Sequence, residues 1–287
     1  MLDLFLSILC SSLIFVVFKL FDTYRVATFH AIVANYLTAL LTGLALYGGS
    51  LGPSELPQQP WLAGAAILGG IFILIFNLMA RTSQRLGVSV ASIATKMSLV
   101  IPVIAGLLLY GEHLSAMKVL GILMALVAVY FASLKNEKFR FSRRALYLPF
   151  FVFLGSGVID TSIKYLQATQ VPEAEYPIFS ATIFGFAALT GLGVLLLRSP
   201  ADLLRWRPAN LLGGIVLGVP NYFSIYFLLR ALQHGGLNSA SVFTLNNVTI
   251  VMLTTLLGIL LFRETMSPKN WMGVALAVLS IVVISLF

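Results

Sequence analysis

Three lysines and one aspartate, Lys19, Lys96, Lys164 and Asp160, stand inside long apolar runs of this sequence. A charge near the centre of a bilayer costs from about 2.5 to more than 10 kcal/mol, so such a side chain must face a cavity, a partner or water. Lys96 lies eight residues into its run, roughly 12 Å deep, and no other full charge falls within four residues of it. It is read as a cavity residue, against pairing with a distant carboxylate or snorkelling to the interface. Asp160 and Lys164 are spaced i, i+4 on one helix face. They read equally as a neutralising pair and as groups that bind solute or carry a proton. Lys19 is close enough to a helix end to snorkel or to face the same cavity. Asn246 and Asn247 lie about 15 Å into their run, beside the repeat equivalents of Met97 and Ser98. They read as solute contacts together with Ser98, or as hydrogen-bond glue between helices. Asn35, Asn77 and the Asn221-Tyr222 step after Pro220 are further polar candidates within apolar runs.

The elements that position these groups follow from composition. The 287 residues are 59% apolar and 10% charged, with mean hydropathy +0.99. A soluble domain is roughly 45–50% apolar and about 25% charged, so a water-facing fold is excluded and the exterior must meet lipid. The +8 net charge lacks the soluble basic face that nucleic acid requires, and surplus Lys and Arg in such a chain set topology. Cys10 is the single cysteine and forms no internal disulfide. No cleavable leader is expected at Met-Leu-Asp-Leu-Phe, which has no basic start.

Turn residues and charges divide the chain into ten apolar runs: 2–21, 27–47, 61–80, 88–110, 115–134, 145–167, 176–197, 208–231, 237–262 and 267–286. The longest polar interruption is the basic linker 135–144. The expected domains are therefore 1–134 and 145–287, with five helices each. An internal repeat supports that division. At an offset of 149, Arg81, Gln84, Gly87, Ala91, Ser92 and Thr95 meet Arg230, Gln233, Gly236, Ala240, Ser241 and Thr244. At 152, Glu112, Ser115, Gly121 and Ala125 meet Glu264, Ser267, Gly273 and Ala277. At 145, Ser11, Ile14 and Lys19 meet Ser156, Ile159 and Lys164. An odd number of helices per half inverts the second copy in the membrane. The expected fold class is an all-α polytopic membrane protein of ten transmembrane helices in two inverted five-helix repeats.

Alternate loops collect thirteen Lys/Arg on one side against Lys118 and Arg230 on the other. The positive-inside rule places the richer side in the cytoplasm and both termini outside. The expected location is a bacterial inner (plasma) membrane.

The ends of the halves read Leu-Leu-Tyr-Gly-Glu-His-Leu-Ser (108–115) and Leu-Leu-Phe-Arg-Glu-Thr-Met-Ser (260–267), each followed by a helix carrying Gly121 or Gly273. With the five-plus-five plan, the chain resembles the EamA-like ten-helix branch of the drug/metabolite transporter superfamily. The resemblance departs at Gly111, where the second half has Arg263, and at the short spacing from Pro102 to Glu112. It implies a secondary transporter or exporter of metabolites and leaves the solute open. From the residues themselves, Glu112 and Glu264 read as hydrated helix-end carboxylates or caps at Ser115 and Ser267.

The leading function is alternating-access transport of a small organic solute. The in-span charges sum to +2, which suits an anionic or zwitterionic one. Energy would come from a proton, with Asp160 the in-span carboxylate available to titrate, or from a counter-substrate, since no nucleotide motif is present. No cofactor or metal is expected. The three histidines are scattered and no HExxH or GxSxG occurs, which argues against an enzyme. A receptor, scaffold or channel without carrier activity is the alternative. Gly214-x-x-x-Gly218 reads as helix packing, and no feature speaks for an oligomeric state.

Overall fold

The computed structural model describes residues 2–49, 52, 54–102, 104–105, 116–133, 147–198, 207–234 and 239–286. Among them are ten α-helices and no strand: α1 Leu2–Thr23, α2 Thr28–Leu46, α3 Leu62–Leu86, α4 Val88–Met97, α5 Ala116–Ser133, α6 Tyr147–Thr169, α7 Tyr176–Arg198, α8 Pro208–His234, α9 Ser239–Phe262 and α10 Pro268–Leu286. The expected ten runs each yield one helix. Within α1, α2, α3, α7, α8 and α9 lie stretches long and apolar enough to cross a membrane, and the apolar stretches elsewhere are shorter. Exposed Met252, Leu256 and Leu260 recur every four residues on α9, the stripe expected of a face turned to acyl chains.

Helix 4 differs from its expected 88–110. Pro102 has no N–H to give to the carbonyl four residues back, and its ring crowds that carbonyl. The ladder breaks there: Leu99 N–H bonds to Lys96 O at 3.4 Å and Ile101 N–H to Ser98 O at 2.9 Å, both one residue tighter than α-helical. Its repeat counterpart α9 runs unbroken.

The chain packs as two compact units, and neither is a sequence half. One comprises Met1–Leu20, Leu78–Val158 and Phe223–Phe287; the other comprises Phe21–Asn77 and Ile159–Tyr222. Each half is cut within its first and third helices. The first unit thus takes α4, α5, α9 and α10, with parts of α1, α3, α6 and α8. The second takes α2 and α7 with the remaining parts.

Within each unit, helices pack on their own repeat equivalents, and the pairs are antiparallel. In the first unit, Ser280 of α10 donates to Gly121 O of α5 at 2.8 Å, and Asn270 donates to Phe131 O at 3.1 Å. Numbers rise on one helix as they fall on the other. Likewise Ser92 and Thr254 hydroxyls meet at 2.6 Å between α4 and α9, while Ser89 lies beside Gly258. In the second unit, Gly43 of α2 lies against Ala181 of α7, and Val33 against Gly191. Antiparallel pairing of equivalents is what inversion of the second copy requires.

Two hydrogen bonds in the second unit are also reciprocal. The Trp61 indole, fully buried at the start of α3 and edge-on to Phe179, donates to the Glu175 carboxylate at 2.8 Å just before α7. Asn210, at the same place in the other half (offset 149), accepts Ala27 N–H at 2.9 Å just before α2. Each ties the start of a half's third helix to the start of the other half's second. Glu175→Ala leaves a buried indole donor unsatisfied and is expected to cost about 1–3 kcal/mol, read as a lower melting temperature of the detergent-solubilised protein. An unchanged melting temperature contradicts the bond.

Candidate functional site

The site candidate with the most structure around it is α4, which carries Lys96. Its start is set by Gly87, whose φ of 117° is open to glycine alone among common residues. Glu264, from the loop after α9, turns its carboxylate onto this helix start. Val88 N–H donates to Oε1 at 2.7 Å and Ser89 Oγ to Oε2 at 3.2 Å. This is an N-terminal cap delivered from the other half of the sequence, with a negative charge at the positive end of the helix dipole. It corrects the expected capping at Ser267. The N–H and hydroxyl of Ser267 donate to Asn270 Oδ1 at 2.9 and 2.7 Å, so α10 caps itself. Glu112 and Ser115 lie outside the described residues.

At the other end of α4, Lys96 sits in the last turn, half-buried, directly before the break at Ser98 and Leu99. An ammonium there faces the negative end of the short helix's dipole. Ser98 is buried, and its hydroxyl donates to Thr95 O.

Asn246 and Asn247 are buried on α9. Ser7 Oγ donates to Ser224 O at 2.8 Å and lies 3.4 Å from Asn246 Oδ1, which draws α1, α8 and α9 into one polar seam. For Asn246 this geometry is that of interhelical glue. Lys19 donates to Gln84 O at 2.8 Å, and Gln84 Nε2 returns a bond to Phe18 O at 3.1 Å. Lys19 thus caps the C-terminal turn of α3. Arg230, near the end of α8, pairs with Asp3 at 3.5 Å and stacks over Tyr226.

The remaining candidates lie in the second unit. Asn221 Nδ2 donates to Asn35 Oδ1 at 3.2 Å, joining two residues singled out from sequence alone. Gly214 and Gly218 make this contact possible: a Cβ on Gly214 would collide with Ala34 Cβ, and one on Gly218 would stand 2.7 Å from Asn35 O. Tyr222 is buried with its ring on Gly43. Asp160 is exposed on α6, and the side chain of Lys164 lies outside the described residues. Lys19, Lys96, Ser98, Asn246 and Asn247 therefore belong to one unit, and Asn35, Asp160, Lys164, Asn221 and Tyr222 to the other.

Sequence reasoning passed over Tyr36. It is fully buried, with its ring against Phe76 and Phe184 at centroid distances of 5.4 and 6.0 Å, and its hydroxyl has no partner among the described residues. A signal was available. At an offset of 148, Ala39, Leu41, Thr42, Gly43 and Leu44 repeat as Ala187, Leu189, Thr190, Gly191 and Leu192. That alignment places Phe184 opposite Tyr36.

Apolar helices of this number, with antiparallel equivalents, define a multi-pass membrane protein built on an inverted repeat. The EamA-like transporter family matches residues 1–134 and 145–286. The chain belongs to that family and is a membrane transporter by it. It is 27% identical over 278 residues, 95% of its own length and 93% of the relative's, to a protein of Haemophilus influenzae described as uncharacterized. A crystal structure with 19% sequence identity superposes with a TM-score of 0.64 over 99% of this chain and 96% of that one, which shows a shared fold.

Proposed function

We propose that the protein is a secondary carrier that moves a small organic solute by alternating access between its inverted repeats. The observation that carries this reading is the interruption of helix 4 at Ser98 and Leu99 with Lys96 in the turn before it. Broken helices at bilayer depth are the recurrent way transporters expose backbone and charge to a solute. Lys96 is the group that favours an anionic or zwitterionic solute. Ser98 and Asn247 in the first unit, and Asn35, Asn221 and Tyr222 in the second, are proposed as further polar contacts of the solute. Lys19 and Asn246 keep the structural partners described above. Coupling is by proton, through Asp160 beside Lys164, or by a counter-substrate. The membrane is the bacterial plasma membrane, with both termini outside.

Saturable counterflow of radiolabelled organic acids in proteoliposomes tests the carrier. Flux without counterflow and without saturation would identify a channel, and no flux for any solute would favour a receptor or scaffold. For orientation, a reporter fused after Phe287 is expected to be active only outside the cytoplasm; cytoplasmic activity reverses the assignment.

A further inference from the structure

We infer that the Tyr36 hydroxyl is a solute-recognition donor, set in an aromatic wall formed by Phe72, Phe76 and Phe184. The ligand class is a flat apolar body bearing a hydrogen-bond acceptor. This deepens the carrier reading and rests on it.

Four observations carry the inference. First, Tyr36 has no exposed surface and its oxygen has no partner among the described residues. A buried hydroxyl without a partner destabilises the state that holds it, so its presence calls for a compensating use. Second, tyrosine has no local remedy. Ser12 and Thr255 also hold unpartnered buried hydroxyls, but a short side chain on a helix can rotate onto a carbonyl of its own preceding turn. A phenol oxygen stands too far from its own backbone to do so. Third, the repeat supplies an internal comparison. Phe184 occupies the equivalent place at offset 148 and stacks on Tyr36 with ring planes 25° apart. The same packing role is therefore filled without the hydroxyl in the other copy. Fourth, the surroundings have a chemical character. Phe184 meets Phe72 edge-on at 6.1 Å, and Phe76 closes against Tyr36 at 5.4 Å. Those faces and edges suit a planar apolar group, while the single hydroxyl supplies direction. The adjacent residue in the chain, Asn35, accepts its bond from Asn221 and none from the phenol.

In this conformation the hydroxyl is sealed, and the solute reaches it when the second unit loosens during the transport cycle. The variant that isolates the group is Tyr36→Phe, which copies the residue of the other repeat. The probes are N,N-dimethylbenzamide, a planar acceptor with no charge to attract lysine, and benzylammonium, a planar group with no acceptor. Binding is read by thermal shift in detergent. The unliganded variant is expected to melt above the wild type, because an unsatisfied donor is gone. The wild type is expected to be stabilised by the amide in preference to the ammonium, and the variant to lose that preference by about ten- to hundredfold in apparent affinity. The proposal is overturned by a variant that melts at or below the wild type, which would give the hydroxyl a partner in the fold. It is equally overturned by amide binding unchanged in the variant, or by no amide binding to the wild type. These readings need no transport. Absent counterflow with an intact Tyr36-dependent preference would sink the carrier alone, and the reverse pattern would sink the Tyr36 assignment alone.

Discussion

Replacement of Gly87 by alanine is expected to lower stability by about 2–4 kcal/mol, seen as a markedly lower melting temperature in detergent. Two effects combine. The backbone at φ 117° belongs to a region that costs a side-chain-bearing residue about 1–3 kcal/mol. The added methyl group would also stand 2.8–2.9 Å from the Glu264 carboxylate, so the cap on Val88 and Ser89 must yield, and losing a cap costs about 0.5–2 kcal/mol. Glu264→Gln separates the two effects. It keeps an acceptor for Val88 N–H and leaves the Gly87 backbone unstrained, so a smaller loss of about 1 kcal/mol is expected. A Gly87→Ala protein that melts with the wild type would remove this cap from the account of α4.

Lys96→Met is expected to reduce counterflow of an anionic solute by at least about tenfold in kcat/KM, equivalent to about 1.4 kcal/mol. The side chain keeps similar length and apolar stem but loses the charge that sits at the end of the interrupted helix. Lys96→Arg should recover part of the activity, because the charge survives while its shape and donor geometry change. Melting temperature, read in parallel, separates a transport defect from a folding one. Anion transport at the wild-type rate by a folded Lys96→Met protein would take Lys96 out of the solute route.

Much of the architecture was readable from residue types. Hydrophobic runs and polar breaks locate ten helices, and matching residues at slowly changing offsets reveal the duplication. Single-residue partners were harder to read. Asn35 and Asn221 were both suspicious as amides in apolar runs, yet nothing in their local sequence says that they bond to each other; Gly214 and Gly218 on the facing helix decide that. Lys19 reads as a possible cavity charge, but its partner is a backbone carbonyl of Gln84, a group every residue carries and no pattern marks. Glu264 reads as a helix-end carboxylate for the next helix, Ser267 onward, yet its partners are Val88 N–H and Ser89 Oγ of α4, because the fold brings a helix start from the other half closer than sequence order does. Pro102 was visible, but its effect on helix 4 depends on whether neighbouring groups re-satisfy the broken ladder.

The interleaving of the two halves bears on how the protein is made. The second unit closes only when α8 has joined α2, and the first closes only when α10 lies along α5. During synthesis the early helices therefore enter the membrane with their contact faces still empty. The contacts of α5 with α10 form only after the second half has been synthesised. A chain lacking α10 would lose the Ser280–Gly121 and Asn270–Phe131 bonds and leave that side of α5 bare in the membrane, an exposed packing face that membrane quality control has reason to recognise.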